Sequence, residues 1–117
     1  MFLAGDAAHV NNPVGGLGLN CGIHDAVELA ETLDLVASGR AKEDWLDRYE
    51  RRRRPLNIEY VQQQTVANKK RLEERDPQVR KKNFDDLRRT AADPALHKQF
   101  LMRTSLIESM RKAGKID

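Results

Sequence analysis

The residues most able to do chemistry lie near the start of the chain, in Asp6 and the run Pro13-Val14-Gly15-Gly16-Leu17-Gly18-Leu19-Asn20. Glycine lacks the Cβ that would hold a ligand away, so a loop of Gly15, Gly16 and Gly18 lets backbone approach a bound group closely. A helix that begins at Leu17 aims unpaired N–H groups and the positive end of its dipole at the same place. The order of an apolar, strand-like Phe2-Leu3-Ala4, an acid, a glycine loop and a helix builds a nucleotide or cofactor site. Asp6 as a plain turn or cap residue is the bland alternative.

The wider stretch reads FLAGDAAHVNNPVGGLGLNCGIHDAVELAETL. It resembles the GD motif, the second flavin-binding motif of FAD-dependent aromatic hydroxylases of the p-hydroxybenzoate hydroxylase class. The pattern is carried by Gly5 to His9, Pro13, Gly15, Gly18, Asn20, Asp25-Ala26 and Leu29. Tyr49-Glu50-Arg51-Arg52-Arg53-Arg54-Pro55 is similar to the Y-E-x-x-R-x-P segment that follows it in that family.

The resemblance implies FAD as cofactor, NAD(P)H as reductant and a small aromatic substrate. It implies that Asp6 holds the ribityl chain and that Pro13 to Gly16 lie beside the isoalloxazine. It implies that Leu17 and Gly18 belong to the cofactor-binding stretch and that the backbone N–H groups of Leu19 and Asn20 donate to the N1/O2 edge, where reduced flavin is negative. The cofactor carries the redox chemistry and the protein orients it, so no side chain need be a nucleophile or acid.

The family also has a G-x-G-x-x-G unit for the ADP half of FAD. Gly16-Leu17-Gly18 mimics its start, but the third glycine position is Cys21, and no βαβ unit surrounds it. The chain therefore reads as the C-terminal portion of a larger α/β FAD-binding fold: mainly α, with a short N-terminal strand and the glycine loop followed by about four helices. Residues 1–40 would belong to the flavin site and 41–117 to a helical region. The alternative is a non-catalytic helical module that self-associates or pairs with another chain. Weak or absent FAD binding by the isolated chain, and a homodimer burying Leu29, Leu33, Trp45 and Leu56, are the corresponding expectations.

The supporting elements follow from periodicity. Leu19, Ile23, Ala26, Val27, Ala30, Leu33 and Val36 predict a buried stripe on a helix from about Leu17 to Ala37, closed by Ser38-Gly39. Trp45, Tyr49, Leu56, Tyr60, Val61 and Leu72 mark a second, from about Lys42, with a kink or break near Arg53 because of Pro55. Asp76-Pro77 and Asp93-Pro94 each set an N-cap acid before a proline, opening helices over 77–91 and 94–113.

Composition bounds the rest. The chain has 117 residues, 33% of them charged, and a formal net charge of +3. Acids outnumber bases before Lys42, and bases dominate after it. Arg51 to Arg54 and Lys69-Lys70-Arg71 raise nucleic acid as a partner, but interleaved acids and missing stacking aromatics argue for ordinary solvated helix faces. His9 and His24 are too widely spaced for a helical metal pair, so no metal site is expected. No apolar run reaches the roughly 20 residues of a membrane span. The lone Cys21 suits a reducing cytoplasm and reads as a small buried packing residue.

Overall fold

The computed structural model describes all 117 residues and is helical almost throughout. A single turn, α1 (Asp6–His9), precedes the glycine loop, and α2 (Leu17–Ala37) follows it. A 3-10 turn at Glu43–Trp45 leads into α3 (Leu46–Leu56), a π-turn over Asn57–Gln62 and α4 (Gln63–Glu73). The chain then forms α5 (Pro77–Ala92), α6 (Pro94–Thr104) and α7 (Ile107–Ala113).

The expected N-terminal strand does not form. Residues 1–4 make no ladder, because no second strand lies alongside to accept and donate their backbone bonds. Their only anchorage is side-chain: Phe2 packs edge-on against Tyr49 with ring centroids 6.5 Å apart, and the Tyr49 hydroxyl donates to the Leu3 carbonyl at 2.7 Å.

Helix α2 keeps the predicted bounds, and its last turn closes as a Schellman motif. Gly39 N–H donates to the Val36 carbonyl and Arg40 N–H to that of Leu35. The face it buries is not the apolar one. Leu17, Cys21, Asp25 and Thr32 point inward, whereas Leu19 is 76% exposed, and Ile23, Val27 and Leu33 are also open.

Pro55 does not break the rod. Its missing N–H removes one helical bond, and the chain relaxes into the wider π-turn just beyond it before resuming as α4. The core forms where this rod meets α2 and α7: Leu17, Cys21, Leu56, Tyr60, Val61, Leu106 and Ala113, with Ile116 against them.

The region expected to run as one helix over 94–113 is two. Leu106 adopts a left-handed φ of 62°, which turns the chain back and sinks its side chain into the core at 3% exposure. Burial of a leucine, about 2 kcal/mol, offsets the roughly 1–2 kcal/mol cost of that conformation. Helices α5 and α6 lie outside this core and bury no residue at all. Asp76 and Asp93 cap them as expected, each carboxylate accepting two first-turn amides. The molecule measures 59 × 29 × 16 Å. No helix is long and apolar enough to cross a membrane.

Candidate cofactor site

The glycine loop is open. Gly15 and Gly16 sit at φ 104° and 65°, where a side chain would strain the backbone, and a Cβ on Gly15 would press to 2.8 Å from Asn68 Nδ2 of α4. The loop is held by Gly16 N–H donating to the Pro13 carbonyl at 3.0 Å and Val14 N–H to Asn12 Oδ1 at 3.1 Å. The N-cap position of α2 is Gly16, so no side chain caps the helix. The amides of Leu17, Gly18 and Leu19 have no acceptor in the protein. Asn20 folds its own amide back, Nδ2 donating to the Gly16 carbonyl at 3.1 Å. Pro13, Gly15, Gly16, Leu19 and Asn20 are exposed, and Leu17 is buried in the core beneath them.

Asp6 lies at the first position of α1 instead of a strand end, and its side chain is exposed. The close crossing of this turn on α2 is permitted by a glycine pair: a Cβ on Gly22 would lie 3.1 Å from the Gly5 Cα.

Beneath the loop is a polar cluster that sequence reasoning left unassembled. Asp25 is 1% exposed, and its Oδ2 accepts from Gly5 N–H at 3.1 Å and from His9 Nε2. Its Oδ1 accepts from Arg53 Nε at 2.7 Å and Asn57 Nδ2 at 3.3 Å. Arg53, 3% exposed, also reaches Cys21 Sγ at 3.3 Å, and the thiol donates to Asn57 Oδ1. The signal that could have found the group was the spacing of Arg53 and Asn57, four apart on one helix face.

Burial alone pushes the Asp25 carboxyl up, but the bonds from Arg53 and His9, the Arg53 charge and the Gly5 amide hold it below the usual carboxylate range. Burial pushes the Cys21 thiol up to about 11, and the Tyr49 hydroxyl up to about 12. Ligand atoms of His9, Cys21 and Asp25 lie within 4.8 Å of one another. The Arg53 guanidinium bonds both Asp25 and Cys21, and so occupies the place a cation's charge would take.

Because the folded value of Asp25 is depressed, the stability it contributes is present above the unfolded carboxylate value of about 3.9. It is lost as pH falls through the folded value. Urea midpoints followed from pH 7 to pH 2 should therefore drop steeply only below about pH 4. A Asp25→Asn/Arg53→Met variant should lack much of that drop; an equal drop in both would assign acid sensitivity elsewhere.

The four consecutive arginines do separate work. Arg51 donates to the Asp117 carbonyl at 3.2 Å, Arg52 pairs with Glu28 and donates to the Ala113 carbonyl at 2.7 Å, and Arg54 pairs with Glu50 at 2.9 Å. With Arg53 inside, the run is engaged within the chain. Of the aromatic residues expected to be core, Tyr49 and Tyr60 are buried and Trp45 is not. Arg48 stacks 4.7 Å over the Trp45 ring.

The family model described as "FAD binding domain" matches residues 1–65. The chain belongs to this FAD-binding family. Among its relatives, para-nitrophenol 4-monooxygenase from Pseudomonas sp. (strain WBC-3) is 38% identical over 115 residues, 98% of this chain and 28% of the relative. 4-Methyl-5-nitrocatechol 5-monooxygenase from Burkholderia sp. is 54% identical over 63 residues, 54% of this chain and 12% of the relative. Pentachlorophenol 4-monooxygenase from Sphingobium chlorophenolicum is 48% identical over 56 residues, 48% of this chain and 10% of the relative. The chain thus spans well under a third of the length of these curated relatives. No solved structure matches. The resemblance read from the motif to FAD-dependent aromatic hydroxylases is borne out by this family and by the monooxygenase names of its relatives.

FAD is the cofactor of the family, and the loop fits such a group: two exposed glycines with positive φ stand next to three helix-end amides without acceptors.

Proposed function

We propose that this chain is the flavin-contacting C-terminal segment of an FAD-dependent aromatic monooxygenase, which uses NAD(P)H and O2 to hydroxylate a small aromatic substrate. Residues 1–40 supply the contacts and 41–117 the helical support. Asp6 holds the ribityl chain, and Pro13, Gly15 and Gly16 lie along the ring. The first turn of α2, Leu17 to Asn20, presents amides to the N1/O2 edge. FAD, when bound, supplies the redox and oxygen chemistry. The protein's part is to place partial positive charge where negative charge develops, and amides fixed in a helix end do so without reorganising. The observation that carries the reading is the set of unpaired amides of Leu17, Gly18 and Leu19 behind the positive-φ glycines.

The rest of the FAD grip and the substrate site lie in parts of the fold that this chain does not carry. The open apolar face of α2, with Leu19, Ile23, Val27 and Leu33, is where such parts would pack. That same face supports the second reading, self-association. Leu56, expected in a dimer interface, is 1% exposed inside the chain's own core and cannot serve; Leu33 and Trp45 remain open to a partner.

The isolated chain is expected to purify colourless, to consume no NAD(P)H, and to bind FAD weakly. Amide shifts of residues 15–20 in an NMR titration with FAD would report that binding, and Gly16→Val should remove it by straining the loop. A titration to millimolar FAD that leaves those amides unmoved would overturn the reading. Light scattering that shows a stable dimer with the α2 face protected would favour the second.

A further inference from the structure

Helix α1 is one turn long and buries no residue. Such a turn has no stability of its own, since nucleating a helix costs more than one turn returns. Something else must hold it, and both of its ends are bonded to the same atom: Gly5 N–H and His9 Nε2 meet Asp25 Oδ2. The other oxygen is held from α3 and the π-turn by Arg53 and Asn57. The carboxylate therefore joins α1 to the main helical rod through α2. Gly22, three residues before Asp25, gives the clearance that brings Gly5 within bonding reach.

Asp25 also lies two helical turns, about 12 Å, from Leu17 on the same rigid helix. It thereby sets where Asp6 stands relative to the unpaired amides of Leu17 to Leu19. We propose that Asp25, clamped by Arg53 and Asn57, is a positioning residue that registers the α1 turn against the first turn of α2, so that Asp6 and the amide cluster address one ligand together. This rests on the flavin-contact reading for the identity of the ligand, and not for the anchoring itself.

Two double variants of the full chain separate anchoring from charge. Asp25→Leu/Arg53→Met and Asp25→Asn/Arg53→Met both remove the buried ion pair, a replacement that is often neutral when both partners go. Only the asparagine keeps an acceptor oxygen for Gly5. The measurements are thermal unfolding, hydrogen exchange at the Gly5, Ala8 and His9 amides, and FAD affinity from flavin fluorescence.

The leucine variant is expected to exchange those amides about tenfold faster and to bind FAD about tenfold more weakly, the size of one lost hydrogen bond of this kind. The asparagine variant, of similar melting temperature, should stay within about threefold of wild type on both counts. Equal behaviour of the two would overturn the proposal, as would unchanged exchange in the leucine variant. Should the leucine variant fail to fold, His9→Leu leaves the Asp25–Arg53 pair intact. It should speed exchange at Ala8 and His9 while the core amides of α3 stay as they were; no change would be equally fatal. If wild type binds no FAD, the flavin reading falls, and the exchange data still decide the anchoring.

Discussion

Arg53→Ala is expected to destabilise the chain by about 3–5 kcal/mol, the cost of leaving a buried carboxylate without its counterion. A domain of this size holds roughly 5–15 kcal/mol in all, so the variant should be largely unfolded well below the wild-type melting point. Asp25 would lose its strongest donor, keeping Asn57 alone on that oxygen, and Cys21 would lose the group that bonds it and Asp25 together. Urea denaturation followed by circular dichroism gives the number directly. Arg54→Ala, one residue on and 73% exposed in its ion pair, should change stability by no more than about 0.5 kcal/mol. Similar losses at the two positions would mean that Asp25 is solvated and that the buried pair is not formed.

Leu56→Ala is the second large effect, at about 2–5 kcal/mol. Leu56 is 1% exposed and lies in the cluster where α2, the α3 rod and α7 meet, so the cavity it leaves has no solvent to fill it. Leu33→Ala removes the same atoms from the open face of α2, where the cost should fall within about 0.5 kcal/mol. The pair tests the orientation of α2 as well as the core. If Leu33 proved the costlier of the two, the helix would be burying its apolar stripe, in this chain or against another copy.

That orientation shows where the sequence stops being legible. The glycine loop, the bounds of α2 and the caps at Asp76 and Asp93 are local chemistry, and local chemistry can be read along the chain. The buried face of α2 cannot, because it depends on what is available to pack against. A sheet would have taken Leu19, Ile23 and Leu33; here the α3 rod and the α1 turn pack against α2, and they meet the side that carries Cys21 and Asp25. The missing strand at residues 2–4 has the same cause, since an extended segment becomes a strand only beside another.

Arg53 was hidden in a different way. Four arginines in a row look alike on paper, and only the 100° step of a helix sends one inward and the others to Glu28, Glu50 and the C-terminus. Leu106 was hidden because leucine is itself a good helix former that seldom takes a left-handed φ, so nothing local marked it as the residue where a buried side chain would turn the chain.

The α5–α6 hairpin has one last consequence. It contributes no residue to the core, and the family match ends at residue 65, before it begins. Substitutions there meet little resistance from packing, whereas the loop and its buried carboxylate are fixed by specific bonds. A library randomised over residues 77–104 should yield mostly well-folded clones, and one randomised over 5–25 very few.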